Sequence, residues 1–188
     1  EVVLAFNPIS KDSELEKTKF GADIVFSTIN HPDTNGIDQV SFGEKKPFVI
    51  SGPGEYEIKD IFIKGLPSES NYDGEKRINT IYVVSLEGMN ICFLGAVSTP
   101  ELPNDTDESI EEVDILFVPI GGNGVLDPVQ AYKLAVSIGP KIIIPILYDN
   151  SKKDSLKAFL KESGENPKPE KKITLKRKDL EGKEAEVM

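Results

Sequence analysis

The residue types that build most enzymatic metal centres are nearly missing from this chain. It has one cysteine, Cys92, and one histidine, His31. A single cysteine excludes an internal disulfide and any zinc site built on several thiolates. In "MNICFLGA" it reads as a small buried hydrophobe. No apolar run is long enough to span a bilayer: the longest, "KIIIPILY", is strand-sized and contains a proline. No signal-peptide pattern is present, so a cytoplasmic protein is expected. Positive charge is scarce as well, with 22 Lys and Arg against 32 Asp and Glu, a net charge of −10 and a pI near 4.7. That balance argues against a nucleic-acid surface and against docking on an anionic membrane. The basic run "KPEKKITLKRK", residues 168–178, is the exception and reads as a solvated strand or tail.

What is present is ordinary globular material, with 38% hydrophobic and 29% charged residues. Its length of 188 residues suits one domain with a real core, and a single domain over 1–188 is expected. Gly and Pro punctuate short apolar runs, which favours many strands. Strands are expected at "VVLAF", at "ADIVFST" (22–28), and in "PFVISG" and "EYEIKDIFIKGL", the last alternating as a half-buried antiparallel pair would. "DSELEKTKFG" reads as a short helix closed by Gly21, and "PSESNYDGEKR" (67–77) as a loop. "NTIYVVSLEGMNICFLG" (79–95) is a hairpin turning at "EG".

Beyond it, "TPELPNDTDESIEEV" is an acidic loop leading to a short helix, and "DILFVPIGG" and "PKIIIPILY" are buried strands. Between these, "DPVQAYKLAVSIG" is the best helix, with Asp127 as N-cap, Pro128 at N1 and Gly139 closing it. "SKKDSLKAFLKESG" is a second amphipathic helix capped by Ser151, and "KKITLKRKDL" an edge strand. Antiparallel strands followed by strand–helix–strand units predict a sheet-rich α/β layer structure.

In order, "ADIVFSTINHPDTNG", "GPGEYEIKDIFIKGLPS", "NTIYVVSLEGMNICFLG", "VDILFVPIGG" and "YKLAVSIGPKIIIPILY" resemble the metallo-β-lactamase-fold hydrolases. The likeness is to the small bacterial branch of Zn-dependent hydrolases of that fold, and it covers nearly the whole chain. It implies a four-layer αβ/βα sandwich with a metal site along one edge. It also implies a strand pair ahead of Glu1, so an N-terminal truncation is expected. The family holds metal through H-x-H-x-D-H, a later His, a bridging Asp in L-G-D and a last His in I-P-x-H-Y. Such ligands bind one or two Zn²⁺ and lower the pKa of bound water to about 7.

Carried across, the first loop becomes Ile29, His31, Asp33 and Thr34; the later His falls near Ser70, the bridging Asp on Ala96, and the last His on Leu147. Only His31 and Asp33 survive, as weak metal candidates, whereas a zinc hydrolase needs at least three protein ligands. The resemblance with its lost ligands implies a degenerate, metal-free and catalytically inactive member. Its role would be structural or binding, through self-association or a protein partner. The alternative is a hydrolase with an atypical zinc site or another catalytic group. Ser27, Ser70 or Ser98 with His31 as base is one such group, although no G-x-S-x-G elbow supports it.

Blander readings stand beside these. His31 and Asp33 form a turn; "GGNG" (121–124) is a strand-to-helix turn rather than a phosphate cradle; Asp105, Asp107, Glu108, Glu111 and Glu112 make a solvated face rather than a Mg²⁺ or Ca²⁺ site. Ile29, Ala96 and Leu147 either line a small apolar pocket or fill the hollow the metal would occupy.

Overall fold

The apolar runs are short because they are strands. The computed structural model describes residues 2–41, 43–44, 46–148 and 154–188. The first three strands, β1 (Leu4–Phe6), β2 (Ile24–Phe26) and β3 (Phe48–Ile50), form a small parallel sheet in that order. The chain then crosses to a larger sheet. Strands β4 (Gly54–Ile58), β5 (Ile61–Ser70), β6 (Arg77–Leu86) and β7 (Met89–Phe93) run as an antiparallel meander. Strands β8 (Ile115–Pro119), β9 (Ile142–Ile146) and β10 (Glu186–Val187) continue it in parallel, giving the order β10-β9-β8-β7-β6-β5-β4.

Two hairpins turn on pairs of residues with positive φ, Lys59–Asp60 and Glu87–Gly88. Such a pair gives the turn the right-handed twist its strands need. The period-two pattern of β5 then sorts its side chains. Ile61 and Ile63 face the small sheet, where they pack with Ile24, Phe26, Ile50, Tyr82 and Val84. Phe26 and Phe6 stack at 4.3 Å in this layer. The Tyr82 hydroxyl donates across it to the carbonyls of Ser27 at 3.0 Å and Ile50 at 3.3 Å.

The opposite face of the large sheet is covered by helices. These are α1 (Asn104–Glu108), α2 (Pro128–Ile138) and α3 (Asp154–Ser163). Ala131, Leu134 and Ala135 of α2 and Phe159 of α3 close over Leu116, Val118 and Ile143. Helix α2 has the capping box its sequence announces: Gln130 N–H donates to the Asp127 side chain, and Gly139 ends the helix at φ 67°. Outside the small sheet, Ala5, Ala22, Val25 and Val40 are covered by coil and one 3-10 turn, Ile37–Gln39. The expected αβ/βα layering is present, with this outer layer irregular among the described residues. No helix there is long and apolar enough to cross a membrane.

Three local expectations are corrected. Residues 12–21 form no helix, because Ser10 Oγ accepts from Asp12 N–H and Ser13 Oγ from Leu15 N–H, bonds that compete with a helical ladder. The 67–77 loop shrinks to a turn: β5 and β6 pair as far as Ser70 and Arg77, and Asn79 Nδ2 donates to Ser68 Oγ at 2.8 Å between them. "KKITLKRKDL" is not an edge strand. It runs as mostly exposed irregular chain into a 3-10 turn, Arg177–Leu180, because β10 takes the place beside β9. Ser151, the expected cap of α3, lies outside the described residues.

Candidate functional site

Strands β2, β5, β7, β8 and β9 all end at one edge of the sandwich, and the loops after them meet there. Three sequence-predicted residues meet with them. Ile29, Ala96 and Leu147 come from three different loops and join Val125 and Tyr72 in one apolar cluster. Ile29 and Ala96 are fully buried. Close backbone packing draws these loops together. Asn79, at 0% exposure, donates to the Leu94 carbonyl and accepts from the Ala96 N–H at 2.9 Å, clamping the β7 exit. A Cβ on Gly124 would lie 2.2 Å from the Asn71 carbonyl oxygen, so only glycine permits this contact between the 121–124 turn and the β5–β6 turn. Leu147 holds φ 50°, a strained position for a bulky residue that costs about 1–3 kcal/mol.

His31 and Asp33 sit beside this cluster, not within it, in a turn where Thr34 N–H and Asn35 N–H donate to the His31 carbonyl. The buried Thr34 hydroxyl bonds the Ile29 carbonyl at 2.8 Å. Asp33 is engaged on both oxygens: Ser13 donates to Oδ1 and the Tyr72 hydroxyl to Oδ2 at 2.8 Å. Its backbone N–H donates to His31 Nδ1 at 3.2 Å, which leaves the proton of a neutral ring on Nε2. Nε2 lies 3.6 Å from the exposed carboxylate of Asp73. Tyr72 meets the imidazole edge-on at 5.0 Å. Burial, then Asp33 and Asp73, raise the Tyr72 hydroxyl well above the ordinary tyrosine range, so it acts as a donor. Together with Asn123, Asp12 and Glu14 these groups line an open cleft of about 420 Å³.

The remaining predicted residues are not in this cleft. Ser70 is buried, and its hydroxyl accepts from Tyr72 N–H at 3.1 Å. Ser27 and Ser98 donate to the carbonyls of Ile29 and Glu69. None of the three hydroxyls bonds His31 among the described residues, which corrects the serine-hydrolase alternative. In "GGNG" the Gly122 and Val125 N–H groups are spent on the Leu126 and Gly122 carbonyls, as in a turn. Tyr72, Asp73, Asn123 and Ser13 were not legible as site residues. Only the turn signal "NYDG" hinted at the first two.

The donor set does not fit a resident metal. Among the described residues no three His, Cys, Asp or Glu side chains gather where they could share an ion. Asp33 accepts on both its oxygens, and the cluster of Ile29, Ala96 and Leu147 offers no donor atom at all.

A family model described as a beta-lactamase superfamily domain matches residues 1–147. A Thermotoga maritima protein assigned to the Zn-dependent hydrolases of the metallo-beta-lactamase superfamily is 31% identical, with 82% of this chain and 73% of that one covered and a TM-score of 0.64. Igni18, a metallo hydrolase from the archaeon Ignicoccus hospitalis, is 16% identical over 98% of this chain and 85% of its own, with a TM-score of 0.64. A protein assigned as a metal-dependent hydrolase from Parabacteroides distasonis is 20% identical over 86% and 81%, with a TM-score of 0.61. At those identities the last two likenesses speak for the fold alone.

Proposed function

We infer the function from one premise, that this chain belongs to the beta-lactamase superfamily. On it we propose a member that has given up metal-dependent hydrolysis and serves as a binding or structural protein. The observation that carries this reading is the apolar cluster of Ile29, Ala96, Val125 and Leu147. Three of these stand at positions where the family resemblance puts metal ligands. Their side chains pack against one another and offer no donor atom to an ion. Leu147 keeps a strained backbone there with no ligand to present.

The test is elemental analysis of protein purified without chelators, followed by melting with and without added zinc. Far less than one zinc, manganese or iron per chain is expected, together with an unchanged melting temperature, because a ligand stabilises only the state that binds it. Stoichiometric metal that is lost in His31→Ala would overturn the reading.

One observation favours a second reading, a hydrolase with an atypical site. The cleft above the apolar cluster is polar, with His31 between Asp33 and Asp73. That reading predicts turnover on a panel of esters and phosphodiesters, abolished by His31→Ala. A panel without turnover sinks it.

A further inference from the structure

The end of the large sheet opposite the cleft carries a second concave surface. On the helix-covered face of the sheet, α1 to α3 leave part of β5, β6 and β7 bare. Phe62, Lys64, Val83, Ser85 and Asn90 floor a groove of about 340 Å³ walled by Glu108, Glu111 and Glu112. Phe62 is 57% exposed. On the other side lies the edge strand β4, where Glu57 is directly paired with Phe62 and Glu55 with Lys64. Directly paired residues share a face of the sheet, so two more carboxylates flank the same floor beside Phe62. Five acidic side chains thus face an exposed phenylalanine, with Lys64 the lone cation lining the groove among the described residues.

The occupant this groove suits is basic and apolar at its centre. This chain carries such a segment. Residues 171–176, "KKITLK", form neither helix nor strand, and no residue there pairs in either sheet. Lys171, Lys172 and Lys176 are exposed and surround Ile173, itself 41% exposed. The segment alternates as a strand does, yet its own sheet has no place for it beside β9. Leu175 ties it to the Ile115, Ile142 and Leu180 cluster, and none of its residues lines the groove of its own chain.

We propose that the groove receives residues 171–176 of a second copy of this chain, with Ile173 on Phe62 and the lysines against the glutamates. In a molecule with a net charge of −10, general electrostatics oppose self-association. The one basic run meeting the acidic groove locally reverses that sign. The proposal names the partner for the binding role above but uses a surface remote from the cleft. A monomeric protein would therefore end this proposal and leave the metal-site reading standing.

Sedimentation of the full chain at low ionic strength tests it. Association beyond the monomer is expected, and it is lost at about 1 M salt, where the screening length shrinks to about 3 Å. Phe62→Asp is expected to be monomeric. So are two charge-reversed variants, one with Glu111→Lys and Glu112→Lys, the other with Lys171→Glu and Lys172→Glu. Mixing the last two restores association, because each then offers the other a complementary surface. That rescue also excludes misfolding as the cause. A native protein that stays monomeric, or variants that associate as the native chain does, or a mixture that fails to reassociate, would overturn the proposal.

Discussion

Asp33 is held by more bonds than a residue in a plain turn needs. Ser13, Tyr72 and the His31 ring all meet it or its backbone, and Tyr72 comes from 39 residues away. Tyr72→Phe deletes the hydroxyl and leaves one carboxylate oxygen without its donor. A hydrogen bond to a charged group contributes about 1.5–3 kcal/mol, so a loss near the lower end is expected at this half-buried site. Urea unfolding reads it as a lower midpoint at unchanged slope. Ala96 makes the opposite point. Ala96→Asp restores the carboxylate of the family motif but sets it at a fully buried position among Ile29, Val125 and Leu147. An uncompensated buried charge costs about 3–5 kcal/mol, and added zinc is expected not to recover it because its co-ligands are absent.

At the scale of elements, caps and turns carry much of the specification. Asp127→Ala removes the side-chain half of the α2 capping box and is expected to cost about 1 kcal/mol, measured by the same unfolding. Gly95 is less tolerant. It holds φ 67° at the β7 exit, and a Cβ there would lie 2.6 Å from the Thr28 side chain and 2.7 Å from Asn79 Oδ1. Gly95→Ala therefore disturbs the Asn79 clamp on Ala96 as well as the backbone. A loss clearly larger than that of Asp127→Ala is expected. The segment at 12–21 shows the limit of such local signals. Its composition suits a helix, but Ser10 and Ser13 bond nearby backbone and Ser13 also reaches Asp33.

For the whole molecule, two buried groups and the half-buried Tyr72 bind their protons more tightly in the folded than in the unfolded state. Burial raises Tyr82 between the sheets and Tyr72 at the site, and pushes the Cys92 thiol up to about 12. A raised folded pKa contributes stability that is complete below the unfolded value and is lost as pH climbs through the folded one. The loss therefore starts near pH 8.5 with Cys92 and steepens near pH 10 with the tyrosines, those being their approximate unfolded values. Unfolding free energies measured from pH 7 to 11 should fall accordingly, and Cys92→Ala should flatten the early part. A flat profile would refute the burial of these groups.

Much of this was legible in the residues. The short apolar runs, the "EG" hairpin and the Asp127 cap are local signals, and most strands and turns followed from them, whereas the αβ/βα layering followed from the resemblance that the order of the motifs carries. That Ile29, Ala96 and Leu147 bring no ligand was legible too, since a side chain without a nitrogen, oxygen or sulfur atom needs no structure to rule it out. What surrounds these positions was not. Tyr72, Asp73 and Asn123 reach the cleft only because the β5–β6 and β8–α2 turns pack backbone against backbone. The acidic groove, likewise, joins Glu55 and Glu57 to Glu111 and Glu112 across several strands. Local periodicity reports which face a residue takes. Only tertiary packing decides which faces meet, because those contacts join residues whose separation in the chain leaves no pattern to read.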